Sequence, residues 1–114
     1  MERVFTHTIY LGPALAGNHT YIFKAPFDMQ LVHVSAVNTS ANAGTVKIGT
    51  AADDDAYLAT ASFGVSSTPV ELRRGDFVGG QHPHIPAGAV VVVTITDHAS
   101  HMAGVSLTLT FTEG

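Results

Sequence analysis

Seven histidines stand in a chain of 114 residues that holds no cysteine and no tryptophan. They are His7, His19, His33, His82, His84, His98 and His101. Imidazole nitrogens bind metals and exchange protons near neutral pH, so their spacing is the first chemistry to test. His82-Pro83-His84 is the informative pair, because residues two apart on a strand share a face and both rings would point the same way. A metal needs three or four converging nitrogen or oxygen donors, and this stretch supplies two. A threefold axis could collect one histidine from each chain, but no spacing selects which one. The other donor-rich stretch is Asp53-Asp54-Asp55. Calcium favours several carboxylate oxygens, yet the EF-hand spacing, with its central Gly and closing Glu, is absent. The run reads instead as a helix N-terminus, where carboxylates cap free amides and suit the helix dipole, or as a solvated turn.

Other reaction chemistries find little support. No Gly-x-Ser-x-Gly elbow is present, and the serines fall in turns or at outward strand positions. Carboxylates are few, and Glu2 and Glu113 lie at the two ends, a poor basis for a glycosidase pair. Phosphate-loop and dinucleotide signatures are missing. The expectation is a protein that is not an enzyme, with no catalytic, cofactor-binding or metal-ligating residue assigned and no cofactor. A carbohydrate- or small-ligand-binding module is the competing class, since β-sandwiches often serve that role. Sugar platforms need exposed aromatic rings, and Tyr10, Tyr21 and Tyr57 are scattered along the chain. Arg73-Arg74 with Asp76 reads as a solvated cluster of loop charges.

The elements that would position these residues are strands. Phe5, His7, Ile9 and Leu11 alternate with Val4, Thr6, Thr8 and Tyr10, a strand period closed by Gly12-Pro13. His19 to Lys24 and Met29 to Thr39 follow, the latter with Val32, Val34 and Ala36 as its expected core face and His33 and Ser35 outward. Thr45 to Thr50 is a short strand with Val46 and Ile48 on one side. One short helix or helical turn is expected over Asp53 to Ala61, anchored by Tyr57 and Leu58. Ser62 to Leu72 reads as loop with a short strand around Val70, and Gly75 to Gly80 as a loop or short edge strand. Val90 to Thr96 is apolar on both sides over its first half, as for a strand buried on both faces. Val105, Leu107, Leu109 and Phe111 alternate with Ser106, Thr108, Thr110 and Thr112. Short strands with turn signals about every ten residues, six to eight in all, make an all-β fold, a β-sandwich or jelly roll in one domain over residues 1–114.

In a jelly roll, His-x-His brings a cupin metal site to mind, whose second motif is Gly, five residues, Pro-x-Gly and then a histidine. Gly80 and Pro86-Ala87-Gly88 fit its opening, but Val91 stands at the ligand position. No glutamate follows His84 within ten residues either. Pro-Ala-Gly is therefore a turn before a long strand.

Composition limits the partners. Five basic against nine acidic residues give a net charge of −4, which argues against direct nucleic-acid binding. The longest apolar run, Ala89 to Val93, is far short of a membrane span, and the first residues lack a signal-peptide layout. Asn18-His19-Thr20 and Asn38-Thr39-Ser40 match the glycosylation pattern but read as turn residues. Only 12% of residues are charged and mean hydropathy is +0.26, low in charge for so small a domain. Either the surface is coated with Thr, Ser, Ala and Asn, or some apolar surface is covered by other subunits, and the outer side of the valine strand is where a second layer or another chain would sit. Residues 1–11 are expected to serve as an arm or edge strand that pairs with a neighbour.

Three segments together resemble the small jelly-roll proteins that decorate tailed-bacteriophage capsids, the cement or head-decoration proteins. They are Val46-Lys47-Ile48-Gly49-Thr50 leading into Asp53-Asp54-Asp55-Ala56-Tyr57-Leu58, Ile85-Pro86-Ala87-Gly88 with its valine strand, and Leu107-Thr108-Leu109-Thr110-Phe111. The resemblance spans residues 29–112 and rests on turns and strands, so it carries over no catalytic residue. It implies a homotrimer on the outside of a virion capsid, made in the host cytoplasm, that bridges neighbouring major capsid proteins. Deleting residues 1–8 of the expected arm should then abolish capsid binding or trimer formation.

Overall fold

The computed structural model describes residues 3–15 and 17–114. Among these residues nine strands form: β1 (Val4–Tyr10), β2 (His19–Lys24), β3 (Met29–Val37), β4 (Thr45–Gly49), β5 (Leu58–Ser62), β6 (Val70–Leu72), β7 (His84–Ile85), β8 (Val90–Thr96) and β9 (Ser106–Glu113). β5, where a helix was expected, and β7, of two residues, are the additions to the expected set. No α-helix occurs among the described residues; two 3-10 turns, Arg74–Asp76 and Val78–Gly80, occupy the stretch expected to be loop or edge strand.

The strands form two sheets, one ordered β1-β9-β3-β6 with β7 also on β3, the other β2-β8-β4-β5. The pairing has a simple logic. β1 pairs β9, β2 pairs β8, β3 pairs β6 and β4 pairs β5, all antiparallel. The chain is thus one long antiparallel ribbon of strand pairs, and rolling it up brings β3 beside β9 and β4 beside β8. That winding is a jelly roll.

Alternation explains which residues fill the space between the sheets. From β9 come Leu107, Leu109 and Phe111, from β8 Val91, Val93 and Ile95, and from β4 Val46 and Ile48, all buried. Each such side chain contributes roughly 1.5–3 kcal/mol through burial. Facing outward on the first sheet, Thr6, Thr8, Thr108 and Thr110 line up in cross-strand pairs, so this part of the surface is polar but uncharged.

β3 departs from simple alternation. Its register against β9 shifts between Leu31 and His33, a β-bulge that takes Val32 out of the ladder. Met29 and Leu31 point inward before the bulge, and Val34 and Ala36 after it. Leu31 is therefore core, and Val32, expected inward, is half-buried.

The helix expected over Asp53 to Ala61 is instead a turn followed by β5. The Thr50 amide donates to the Asp53 carbonyl at 2.7 Å, and the Ala56 amide donates to the same oxygen at 3.2 Å. The Tyr57 amide then donates to the Ile48 carbonyl at 2.9 Å, which starts the β4–β5 ladder. A Cβ at Gly49 would run into the Asp53 carbonyl and come within 2.7 Å of the Ala56 nitrogen, so only glycine lets this turn close. Six residues from Ala56 to Ala61 make too short a helix to compete with a ladder already begun.

Candidate functional site

Sheet geometry scatters the histidines. His84 opens β7 and is exposed, whereas His82 lies before that strand, half-buried, with its ring edge-on to Phe77 at 6.4 Å. His33, on the outer face of the first sheet, sets Nε2 2.5 Å from a carboxylate oxygen of Glu71. The Ser35 hydroxyl donates to the other Glu71 oxygen at 3.4 Å. Among the described residues the one group of three donors close enough to share an ion is Asp53, Asp54 and Asp55, all exposed. Lys47 already pairs with Asp54 at 3.0 Å. A hydrogen bond with Asp53 and the negative charge of Asp53 raise the pKa of Asp55. These carboxylates repel one another at the tip of a turn, and no histidine joins them.

The tyrosines form no common platform. Tyr10 is 60% exposed on the outer face of the first sheet, while Tyr21 points inward from β2 and its hydroxyl lies 2.5 Å from His7 Nε2. Tyr57 is half-buried beside the β4–β5 turn, where desolvation raises its pKa. The described residues enclose no pocket.

What the surface does offer is sheet faces and edges. On the outer face of the second sheet, Ile22 is 60% exposed and Val90 41% exposed. Val92, between Ile22 and Gly49 in the ladder, is buried. Lys24 on β2 and Lys47 on β4 flank this short apolar stripe. The two-sided apolar character of β8 thus has a core on one side and, on the other, an outer face that no layer of this chain covers.

Two polar clusters hold the loops, and one escaped the sequence reading. Asp97, with its side chain 4% exposed, accepts hydrogen bonds from the amides of Met102 at 2.8 Å, His98 at 2.9 Å and Gly17 at 3.2 Å. His101 Nδ1 lies 2.7 Å from the same carboxylate. Burial alone would raise the Asp97 pKa, but the bonds from His101, Met102, Gly17 and His98 outweigh it and hold it below the ordinary value. The aspartate clamps the loop before β2 to the loop before β9; its Gly17 donor lies 80 residues away in sequence, so no local signal announced that tie.

The second cluster is at Asn38, the one buried polar residue among the described residues, at 0% exposure. Its amide nitrogen Nδ2 donates to the Gly64 carbonyl at 2.9 Å, and its Oδ1 accepts from the Ser40 amide at 3.0 Å and from the Ser40 hydroxyl. A fully engaged and enclosed amide explains why this asparagine stands at the start of a turn, and it leaves no room for a glycan.

Against known proteins, no protein-family model matches the chain and no curated protein matches it. Among solved structures, the chain is similar to a chain of the cyanophage Pam1 capsid asymmetric unit, at 13% identity and a TM-score of 0.63. The similarity covers 97% of this chain and 82% of that one, so it is the whole jelly roll that is shared.

Proposed function

We propose that this protein is a non-enzymatic structural protein of a phage virion, which sits as a homotrimer on the capsid surface and stabilises the shell by bridging neighbouring major capsid proteins. The observation that supports this reading most is the near-complete likeness in fold to a chain of a phage capsid asymmetric unit. The surface agrees with it. Charged residues are 12% of the chain, and the faces of the sandwich present threonines or a short apolar stripe rather than a cleft with converging polar groups. A sheet face of this kind suits a flat contact with another protein, where exposed apolar groups gain by exclusion of water. Ile22 and Val90, with Lys24 and Lys47 at the rim, are the residues assigned to the capsid contact.

The test is binding to shells of the encoding phage that have been stripped of this protein. The purified protein should co-sediment with them and raise the temperature at which they rupture. Ile22→Asp should abolish both effects while leaving the protein folded. Shells that neither bind the wild-type protein nor gain heat resistance from it would overturn the reading.

A further inference from the structure

Five strands close the rims of the sandwich, β1, β6 and the two-residue β7 on the first sheet and β2 and β5 on the second. An exposed edge invites pairing with another chain, and proteins guard against this with charges, bulges or very short strands. β6 has three residues, one of them Glu71, and β5 meets β4 through a register shift. β2 carries Lys24. β1 has none of these devices. It runs seven residues, Val4-Phe5-Thr6-His7-Thr8-Ile9-Tyr10, without a charge, proline or glycine, in unbroken register with β9.

The ladder reveals which backbone groups are left over. The Glu113 amide donates to the Arg3 carbonyl, and the Leu11 amide donates to the Val105 carbonyl. Odd-numbered residues of β1 therefore bond to β9, and Val4, Thr6, Thr8 and Tyr10 turn their N–H and C=O groups to the free rim. These four positions are symmetric about His7, and so is the sequence. Val4 mirrors Tyr10, Phe5 mirrors Ile9, and Thr6 mirrors Thr8.

We propose that β1 pairs antiparallel with β1 of a second copy of this chain, about a twofold axis at His7. In that register Val4 faces Tyr10 and Thr6 faces Thr8, each a hydrogen-bonded pair exchanging two bonds. Every free group on both edges is thereby satisfied. Apolar stands against apolar and threonine against threonine, the cross-strand pairs that stabilise sheets. No charge lies on the contact, which lets two chains of net charge −4 approach without direct repulsion. The copy would also cover Phe5, Tyr21 and Phe23, inward-pointing rings that this rim leaves only half-buried. His7 would stand beside its own copy, each ring held by the Tyr21 and Phe23 of its own chain. In a homotrimer each subunit keeps its own β1 rim, so this contact joins one trimer to the next. The pairing is independent of the capsid reading, because it is a property of the purified chain.

Proline at a rim-facing position removes a free N–H and leaves the β9 ladder intact. Thr8→Pro should keep its far-ultraviolet circular dichroism while its mass in solution falls to half that of the wild type or less. Equal masses, as expected of an edge reserved for a different protein, would overturn the proposal. A second measurement does not depend on that variant folding. The chain has no cysteine, so Thr6→Cys and Thr8→Cys give clean probes. A mixture of the two should form disulfide-linked pairs several-fold faster than either alone; equal rates, or none, would contradict the register.

Discussion

The two rims of the sandwich are closed in different ways. On the β5–β6 side, backbone ties the sheets together. Val37 and Gly64 form a bridge, the Gly64 amide donates to the Ala36 carbonyl at 3.0 Å, and the Asn38 amide donates to the Gly64 carbonyl at 2.9 Å. The Val78 amide adds a bond to the Tyr57 carbonyl at 3.1 Å. On the β1–β2 side no such bridge occurs among the described residues. The sheets meet there through side chains, with His7 stacked on Phe23 at 4.9 Å and Phe23 edge-on to Phe111 at 6.0 Å. Backbone closure fixes one rim permanently. Side-chain closure leaves the β1 and β2 edges without a backbone tie between the sheets.

The contrast can be broken most forcefully at Gly64. A Cβ there would strike the Thr68 carbonyl, stand 2.8 Å from the Val70 nitrogen and 3.0 Å from the Ala36 carbonyl, all backbone atoms that cannot swing aside. Gly64→Ala should cost about 3 kcal/mol or more, read as a lowered midpoint in urea unfolding. Asn38→Ala comes next, at about 1–3 kcal/mol, because it leaves the Ser40 amide without its acceptor and opens a void at the same corner. On the opposite rim the effects should be smaller. Tyr21→Phe deletes only the contact with His7 and should cost about 0.5–1.5 kcal/mol, with the fold otherwise unchanged by circular dichroism.

Acid sharpens the comparison at a third place, the Asp97 clamp. Its folded pKa lies below the ordinary value, so its contribution is complete above the unfolded pKa of about 3.9 and is lost as pH falls through the folded value. The melting temperature should therefore be flat near neutrality and drop below about pH 4. Asp97→Asn should lower the plateau and weaken that acid limb. An acid limb of unchanged steepness would show that other carboxylates govern it.

Much of this architecture could be read from the chain. β1, β2, β8 and β9 stand where the sequence pattern places strands, and the inward set of the last, Val105, Leu107, Leu109 and Phe111, is buried. The β3 bulge could not be seen, because Leu31 and Val32 are both apolar and a one-residue slip between them leaves no mark on the pattern. The aspartate run misled for a related reason. Carboxylates before an alanine-rich stretch favour a helix start locally, but the close approach of Gly49 to the turn is decided by tertiary packing. The valine strand was legible as apolar on both sides. The ties of Asn38 to Gly64 and of Asp97 to Gly17 were not, since these partners are 26 and 80 residues away in sequence.

The proposed place of this jelly roll in a virion is tested most directly by quantitative mass spectrometry of purified particles of the phage that encodes it. The intact chain should occur in a fixed ratio to the major capsid protein, in full particles and emptied shells alike. Its absence from both, with the chain found only in the lysate, would contradict the claim.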